Sequence, residues 1–395
     1  MSIANTADTT VIAVEFKQGV SGINTLLLVF VLLMSMGLLM MTSASVELGN
    51  SNYGDPFYFI KRQLVFLLLS VMLMALTIKI RLNFWYSSSG ILLLGGFVML
   101  VLVLIPGVGK VVNGSARWLD LGFYNLQPSE LSKVFLIMYM AAFLERHRQE
   151  VIARWSGFIK PMIILSAAVV LLHFEPDHGA MVIMMVTTFG MIFLAGAKLH
   201  RFMLILILGF GAVVSLAIMK PYVIARLSSF LNPWAAEYVY GEGYQLTQAL
   251  IGFGRGEWFG VGLGKSIQKL YFLPEAHTDF ILAIVAEELG LLGVLVLIAL
   301  FTALIHIGLQ TGKTAERQFA YFRAYLAYGI ALLFAVQVLI NIGVSTGLLP
   351  TKGLTLPFLS YGGNSLLSSC FLVAILLRVQ YENSQPESKG GFHER

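Results

Sequence analysis

The chain has 395 residues, of which 57% are hydrophobic and 12% are charged, and its net charge is +5. Soluble domains carry about 25% charged residues, so this composition excludes an ordinary soluble domain and indicates a membrane protein. The basic residues are scattered between apolar runs, which argues against a nucleic-acid-binding protein. Cys370 is the only cysteine, so a disulfide within the chain is excluded.

Apolar runs near twenty residues in length recur along the chain, and each can cross a hydrocarbon core about 30 Å thick. We predict an all-α polytopic protein with about ten transmembrane helices: a membrane domain at 23–380 between short, disordered cytoplasmic tails at 1–22 and 381–395. The first run is longer than the apolar part of a cleaved signal peptide, so we expect it to remain as a span. The predicted spans are 23–43, 61–79, 88–106, 128–145, 158–174, 179–196, 202–219, 279–309, 321–345 and 363–380.

The distribution of basic residues between these spans predicts their orientation. With the N-terminus inside, the short inner connections hold eleven Lys and Arg residues and the short outer connections hold six. Cytoplasmic loops are enriched in Lys and Arg, so we predict that both termini are cytoplasmic. The inner residues are Lys79, Arg81, Arg146, Arg148, Arg154, Lys160, Lys198, Arg201, Lys313, Arg317 and Arg323, and the outer ones are Lys61, Arg62, Lys110, Arg117, Lys133 and Lys352.

The connection at 220–278, between predicted helices 7 and 8, is long, polar and rich in glycine. Loops of this length are usually functional or carry secondary structure of their own. The glycines at 252–264 match neither a dinucleotide-binding nor a P-loop pattern. Lys265 and Lys269 are four residues apart, so they would lie on one side of a helix and would suit an anion such as a pyrophosphate.

Asp279 lies where this loop enters the eighth span. One interpretation is an ordinary N-cap, because a carboxylate is stabilised at a helix N-terminus. However, Glu287 and Glu288 follow inside the apolar run, where ionisable groups are costly and usually functional. Glu287 falls on the same helical face as Asp279, roughly 12 Å along the axis, while Glu288 points away. We therefore take Asp279 as the centre of a candidate site, and we expect Glu287 to accept hydrogen bonds within the bundle.

Two shorter outer connections also contain polar residues. Pro128 suits the first turn of a helix, and we interpret Glu130 and Lys133 as a structural ion pair at its start. Between the fifth and sixth spans, Glu175 and Asp177 lie beside two histidines, but the spacing matches no named metal motif, and we predict no metal ligands there.

The ninth span and the connection after it are polar as well. Gln337 and Asn341 are four residues apart and are predicted to form interhelical hydrogen bonds. In the connection, Pro350 and Pro357 forbid a continuous helix, and Lys352 adds a further outer cation. Non-helical backbone near membrane depth is tolerated only where it is buried in protein or lines a wet cavity.

Four motifs resemble one family: Asn-Gly-Ser-Ala-Arg-Trp at 113–118, Gln-Pro-Ser-Glu at 127–130, Leu-Pro-Glu-Ala-His-Thr-Asp at 273–279, and Leu-Pro-Thr-Lys-Gly-Leu-Thr-Leu-Pro at 349–357 with Ser-Tyr-Gly-Gly at 360–363. The chain resembles the SEDS proteins (shape, elongation, division and sporulation), which are polytopic peptidoglycan glycosyltransferases, and most of all their cell-division members. The resemblance implies ten spans, a location in the bacterial cytoplasmic (inner) membrane at the division septum, and a class-B penicillin-binding transpeptidase and other division proteins as partners. It also implies polymerisation of lipid II, with the essential acid at Asp279.

From the resemblance we expect inverting glycosyl transfer from a lipid-pyrophosphate donor, with Asp279 as the general base. The residues expected to bind substrate are Arg117, Lys265, Lys269, Glu275, His277 and Lys352. A divalent cation (Mg²⁺ or Mn²⁺) is compatible with a pyrophosphate substrate, and the sequence indicates no other cofactor. The alternative function is a lipid II flippase, because intramembrane acids and broken segments also fit a transporter. The family usually has Gln-Pro-Asp at 175–177, so Glu175 and the neighbouring His178 depart from its pattern.

Overall fold

The structure is a computed structural model, and it describes residues 4–112, 115–122, 124–204, 207, 230–350 and 353–385. Long helices dominate these residues. They are α1 (Ala4–Tyr53), α2 (Tyr58–Lys79), α3 (Leu82–Leu104), α4 (Pro128–Arg146), α5 (Arg148–Ala153), α6 (Trp155–Phe174), α7 (His178–Leu194), α8 (Tyr244–Gly256), α9 (Ile281–Arg317), α10 (Tyr321–Ser345) and α11 (Gly363–Ser384).

Each predicted span except 202–219 coincides with one of these helices, and most of that exception lies outside the described residues. In the described part of the chain, seven helices are long and apolar enough to cross a membrane: α1 over Gly22–Tyr53, α2, α3, α6, α9, α10 and α11. The protein is therefore a helical, multi-pass membrane protein. The N-terminal tail, predicted to be disordered, is helical from Ala4, whereas the end of the C-terminal tail lies outside the described residues.

Helices α10 and α11 form the centre of the bundle, since 67% and 83% of their most apolar stretches are buried, against 22% for α2 and α3. The helices at the periphery of the bundle expose large apolar side chains, such as Leu68 and Met72 on α2. Lipid tails are as apolar as these side chains, so their exposure is expected on a lipid-facing surface. The predicted Glu130–Lys133 ion pair is present at 2.8 Å, but it is buried, and Ser368 of α11 donates a hydrogen bond to Glu130.

A small antiparallel sheet lies between α3 and α4, and the all-α prediction did not include it. Its strands are β1 (Gly109–Val112), β2 (Ser115–Asp120) and β3 (Asn125–Leu126), in the order β1-β2-β3. The hairpin presents Arg117, on β2, to the turn between α6 and α7.

Helix α9 is interrupted at Gly290, where the prediction had a continuous span. The glycine has φ 69° and ψ −169°, and a side chain there would overlap the backbone at 258–260. The carbonyl oxygens of Glu287 and Glu288 instead accept hydrogen bonds from Val261 and Gly262, at 2.9 and 3.1 Å. The part of the predicted outer loop that contains Val261 and Gly262 is therefore docked into the break in α9, and it satisfies backbone groups that the break releases.

Candidate functional site

Asp279 lies in a tight turn just before α9, at the end of the bundle that the sequence predicts to be outside. Glu275 adopts a positive φ of 55°, and its carbonyl oxygen accepts hydrogen bonds from the backbone N–H groups of Thr278, Asp279 and Phe280 at 3.1–3.2 Å. Helix α9 begins at Ile281 with Phe280 as its N-cap, and no side chain caps it. The N-cap interpretation of Asp279 is therefore wrong, and its carboxylate is available for another role.

The segment at 353–361 lies directly against this turn. A side chain on Gly353 would place its Cβ only 2.6 Å from Asp279 Oδ2. The backbone N–H of Tyr361 donates to the carbonyl oxygen of His277 at 2.9 Å, and the Ser360 hydroxyl donates to that of Thr278 at 2.5 Å. Asp279 itself nevertheless remains partly exposed.

The surroundings of Asp279 favour its neutral form. Burial raises the pKa of Asp279 from 3.8 to about 7; the nearby Glu275 carboxylate adds to the rise, and Arg117 opposes it. The Arg117 guanidinium is half-buried and donates hydrogen bonds to the carbonyl oxygens of Glu175 and Pro176, at 3.4 and 2.5 Å. A carboxylate with a pKa near neutrality is well suited to accept a proton during catalysis.

Glu175, beside Arg117, is a second acid whose pKa is raised. It is fully buried, and neither carboxyl oxygen has a hydrogen-bond partner among the described residues. Burial and the neighbouring Asp177 raise its pKa to about 8, against the opposing effect of Arg117. Asp177 has a structural role, because it caps α7 through Ala180 N at 3.1 Å and accepts a hydrogen bond from Ser129 at 2.8 Å. A protonated Glu175 is close in shape and charge to the glutamine of the SEDS pattern.

Lys269 does not present its charge to an outer anion site. Its ammonium forms an ion pair with the fully buried Glu288 at 2.7 Å and donates to Ser43 of α1 at 3.0 Å. The helix that would align Lys265 with Lys269 does not form, because the only helical structure there is a π-helical turn at Gln268–Phe272. The structure thus assigns Lys269 to anchoring the outer loop on α9.

Glu287 has a similar anchoring role, in agreement with its predicted function as a hydrogen-bond acceptor. It is fully buried and forms an ion pair with Arg255 of α8 at 2.5 Å. It also accepts hydrogen bonds from the Ser266 hydroxyl and from the backbone N–H groups of Ile267 and Gln268. These contacts show that Glu287 holds the outer loop rather than a substrate.

The other predicted substrate-binding residues differ in accessibility. His277 is buried between the rings of Phe59 and Tyr361, with centroids 5.1 and 5.7 Å away, and burial lowers its pKa. It therefore packs as a neutral ring rather than facing a substrate. Glu275 is exposed and accepts a hydrogen bond from Thr278 at 2.6 Å.

Besides Arg117, two predicted cations remain as candidates for an anionic substrate. Lys265 is exposed, and it forms no ion pair with any carboxylate in the described ranges. Lys352 lies outside the described residues, immediately before Gly353. Within the described ranges, no group of three or more His, Cys, Asp or Glu side chains is placed to hold a metal ion.

Comparison with known sequences identifies a single family. A sequence model of the FtsW, RodA and SpoVE proteins, described as cell cycle protein, matches residues 24–385. A relative from Coxiella burnetii, named probable peptidoglycan glycosyltransferase FtsW, is 50% identical over 350 residues, which cover 89% of this chain and 94% of the relative. A relative of the same name from Hahella chejuensis is 51% identical over 350 residues, covering 89% and 88% of the two chains.

Solved structures agree with the fold. A chain from a study of the coordination of polymerization and crosslinking by a peptidoglycan synthase complex has a TM-score of 0.73 and 27% identity, covering 91% of this chain and 98% of that one. The rod shape determining protein RodA of Thermus thermophilus has a TM-score of 0.67 and 25% identity, covering 91% and 97%. The predicted SEDS resemblance is thereby confirmed, and the chain belongs to the FtsW/RodA/SpoVE family of cell cycle proteins.

Proposed function

We propose that the protein is a peptidoglycan glycosyltransferase that polymerises lipid II into glycan strands during cell division. Relatives about half identical to it over most of its length are named probable peptidoglycan glycosyltransferase FtsW. The observation that carries the proposal is the carboxylate of Asp279 at the predicted outer end of the bundle. It does not cap α9, it is partly exposed, and its pKa is raised to about 7. A polymerase of a lipid-linked substrate needs such a group at the membrane surface.

Asp279 is the proposed general base of an inverting glycosyl transfer. The acceptor hydroxyl is a poor nucleophile, and removal of its proton in the transition state by a positioned base accelerates transfer by about 10²–10⁴-fold. The proton moves from the acceptor oxygen to the Asp279 carboxylate. The new glycosidic bond forms as the bond from the anomeric carbon to the pyrophosphate breaks, and the leaving group carries away that electron pair.

The leaving pyrophosphate gains negative charge and needs nearby cations. Arg117 is the best placed of the described candidates, because its charge already acts on Asp279 and its guanidinium is half-exposed. Exposed Lys265 and, beyond the described residues, Lys352 are the further proposed contacts. A divalent cation (Mg²⁺ or Mn²⁺) bound to the pyrophosphate is compatible with this proposal, because it would neutralise part of the charge of the leaving group.

A class-B penicillin-binding transpeptidase is the proposed partner, and the division septum in the inner membrane is the proposed location. The partner is supported by the structural similarity to a chain studied in a peptidoglycan synthase complex that couples polymerization to crosslinking. Cross-linking must follow polymerisation, because the transpeptidase acts on the glycan strands that the polymerase makes.

The test is polymerisation of lipid II by purified full-length protein in detergent. Asp279→Asn should remain folded and monodisperse and should extend no glycan strand. Asp55→Asn is the matched control, because Asp55 is a partly exposed carboxylate of the α1–α2 connection, where it pairs with Lys61 and accepts a hydrogen bond from the backbone N–H of Phe57. Normal polymerisation by Asp279→Asn would remove Asp279 as the base.

The same assay separates polymerase from flippase. Micelles have no two compartments, so a flippase has no net activity in them, whereas an enzyme turns over. Glycan strands formed by wild-type protein in micelles, and lost in Asp279→Asn, would support polymerisation as the activity of this site.

A further inference from the structure

Asn341 connects the turn that carries the proposed base to the segment that lies against this turn. It is on α10, 1% exposed, and its side-chain amide donates two hydrogen bonds. One goes to the carbonyl oxygen of Asp279 at 3.1 Å, and the other to that of Leu354 at 2.7 Å. A single side chain thus fixes the backbone of Asp279 to the segment that contains Gly353.

The hydrogen bonding of Asn341 is specific to this connection. Both amide hydrogens are used, while its side-chain oxygen is buried and has no partner among the described residues. A buried amide that is only partly hydrogen-bonded costs free energy relative to an apolar side chain of similar size. The donated bonds, rather than packing alone, are therefore the contribution of an asparagine at this position.

A second side chain makes a parallel connection. The Ser360 hydroxyl donates to the carbonyl oxygen of Thr278 at 2.5 Å and accepts the backbone N–H of Leu356 at 2.8 Å. Residues 278–279 are consequently held against the segment 354–360 at two points. Gly353, at the start of this segment, lies directly against Asp279 Oδ2.

We infer that Asn341 is a positioning residue, which fixes Asp279 against the 353–361 segment and thereby limits the access of water to its carboxylate. The inference rests on the proposed role of Asp279 as the base. Asn341 acts through Asp279 and its neighbours, because its two hydrogen bonds are donated to backbone carbonyl groups and not to any group that reacts.

The charged groups that act on Asp279 do not depend on Asn341. They are Glu275, on the same turn, and Arg117, on β2, while the neighbouring His277 is packed between aromatic rings. Neither Glu275 nor Arg117 is hydrogen-bonded to Asn341 among the described contacts. Loss of the Asn341 amide should therefore change the hydration of Asp279 and leave its charged neighbours in place.

The experiment is the pH dependence of kcat/KM for lipid II polymerisation by purified full-length variants. In Asn341→Ala, water reaches the carboxylate more readily, so the acid limb of the profile should move to lower pH by about one unit. Ser360→Ala should move the limb in the same direction, and it provides an independent reading if Asn341→Ala fails to fold. Ser345→Ala is the matched control: it lies one turn later on α10, and its buried hydroxyl has no partner in the described structure.

An acid limb in the Asn341→Ala and Ser360→Ala proteins that coincides with that of Ser345→Ala would overturn the inference, whatever their absolute rates. A shift of the limb in all three proteins would also overturn it, because the effect would then not depend on the hydrogen bonds to Asp279 and its neighbours. Failure of the proposed function is distinguished by Asp279→Asn, whose activity would contradict the base itself without reference to Asn341.

Discussion

Lowering the pH from 8 to 6 is expected to reduce polymerisation by about tenfold. Burial raises the pKa of Asp279 to about 7, and a general base works only when ionised. At pH 6, roughly a tenth of Asp279 carries its charge, and at pH 8 roughly nine tenths does. The sign follows directly: activity rises with pH as the proton leaves. With its ordinary pKa of 3.8, the residue would be ionised at both values and the rate would not change.

The assay is the initial rate of lipid II polymerisation at limiting substrate, because kcat/KM reports the pKa of groups in the free enzyme. Asp279→Asn provides the background rate at each pH, and thermal unfolding at each pH provides the folded fraction. A rate that stays constant between pH 6 and 8 and falls only near pH 4 would refute the argument that burial controls the protonation of this carboxylate.

Three further predictions concern single side chains. Gly353→Ala should abolish most activity without unfolding the protein, because the added Cβ would lie 2.6 Å from Asp279 Oδ2; a normal rate would show that the segment moves aside freely. Lys269→Ala should destabilise the protein by about 3–5 kcal/mol in thermal unfolding, because the buried Glu288 loses its positively charged partner, whereas exposed Lys265→Ala should not. Asp279→Asn should raise the free energy of unfolding at pH 8 by of order 2 kcal/mol, because the neutral amide avoids the cost of a buried charge. The full pKa shift corresponds to roughly 4 kcal/mol, and the partial exposure of Asp279 reduces this value. The gain should shrink at pH 4, where the wild-type acid is protonated in the folded state.

The chemistry of the candidate site could be predicted only in part from residue type. Lys265 and Lys269 are both lysines of one outer loop, yet one is exposed and the other is paired with a buried carboxylate. His277 belongs to the same motif as Asp279 and packs among aromatic rings. Local sequence cannot separate these cases, because the partner of each group comes from a distant part of the chain.

Two contributors to the site gave weak signals. Gly353 was one of several glycines, and only its contact with Asp279 shows why a side chain would not fit there. Asn341 was predicted to form interhelical hydrogen bonds, but its acceptors are backbone carbonyl groups of two non-helical segments. The small sheet that carries Arg117 was not predicted, since its strands have two to six residues and too little pattern to recognise.

The sequence by itself determined that this is a helical membrane protein and where most of its helices lie. It also determined that an aspartate, Asp279, lies at the start of the eighth predicted span. Hydropathy over some twenty residues is a property of each segment alone, because the bilayer acts on every span in the same way. Tertiary structure decided which charges cancel, where α9 breaks, and how deeply Asp279 is buried. These depend on contacts between residues tens to hundreds of positions apart, and it is this burial that gives one aspartate a near-neutral pKa.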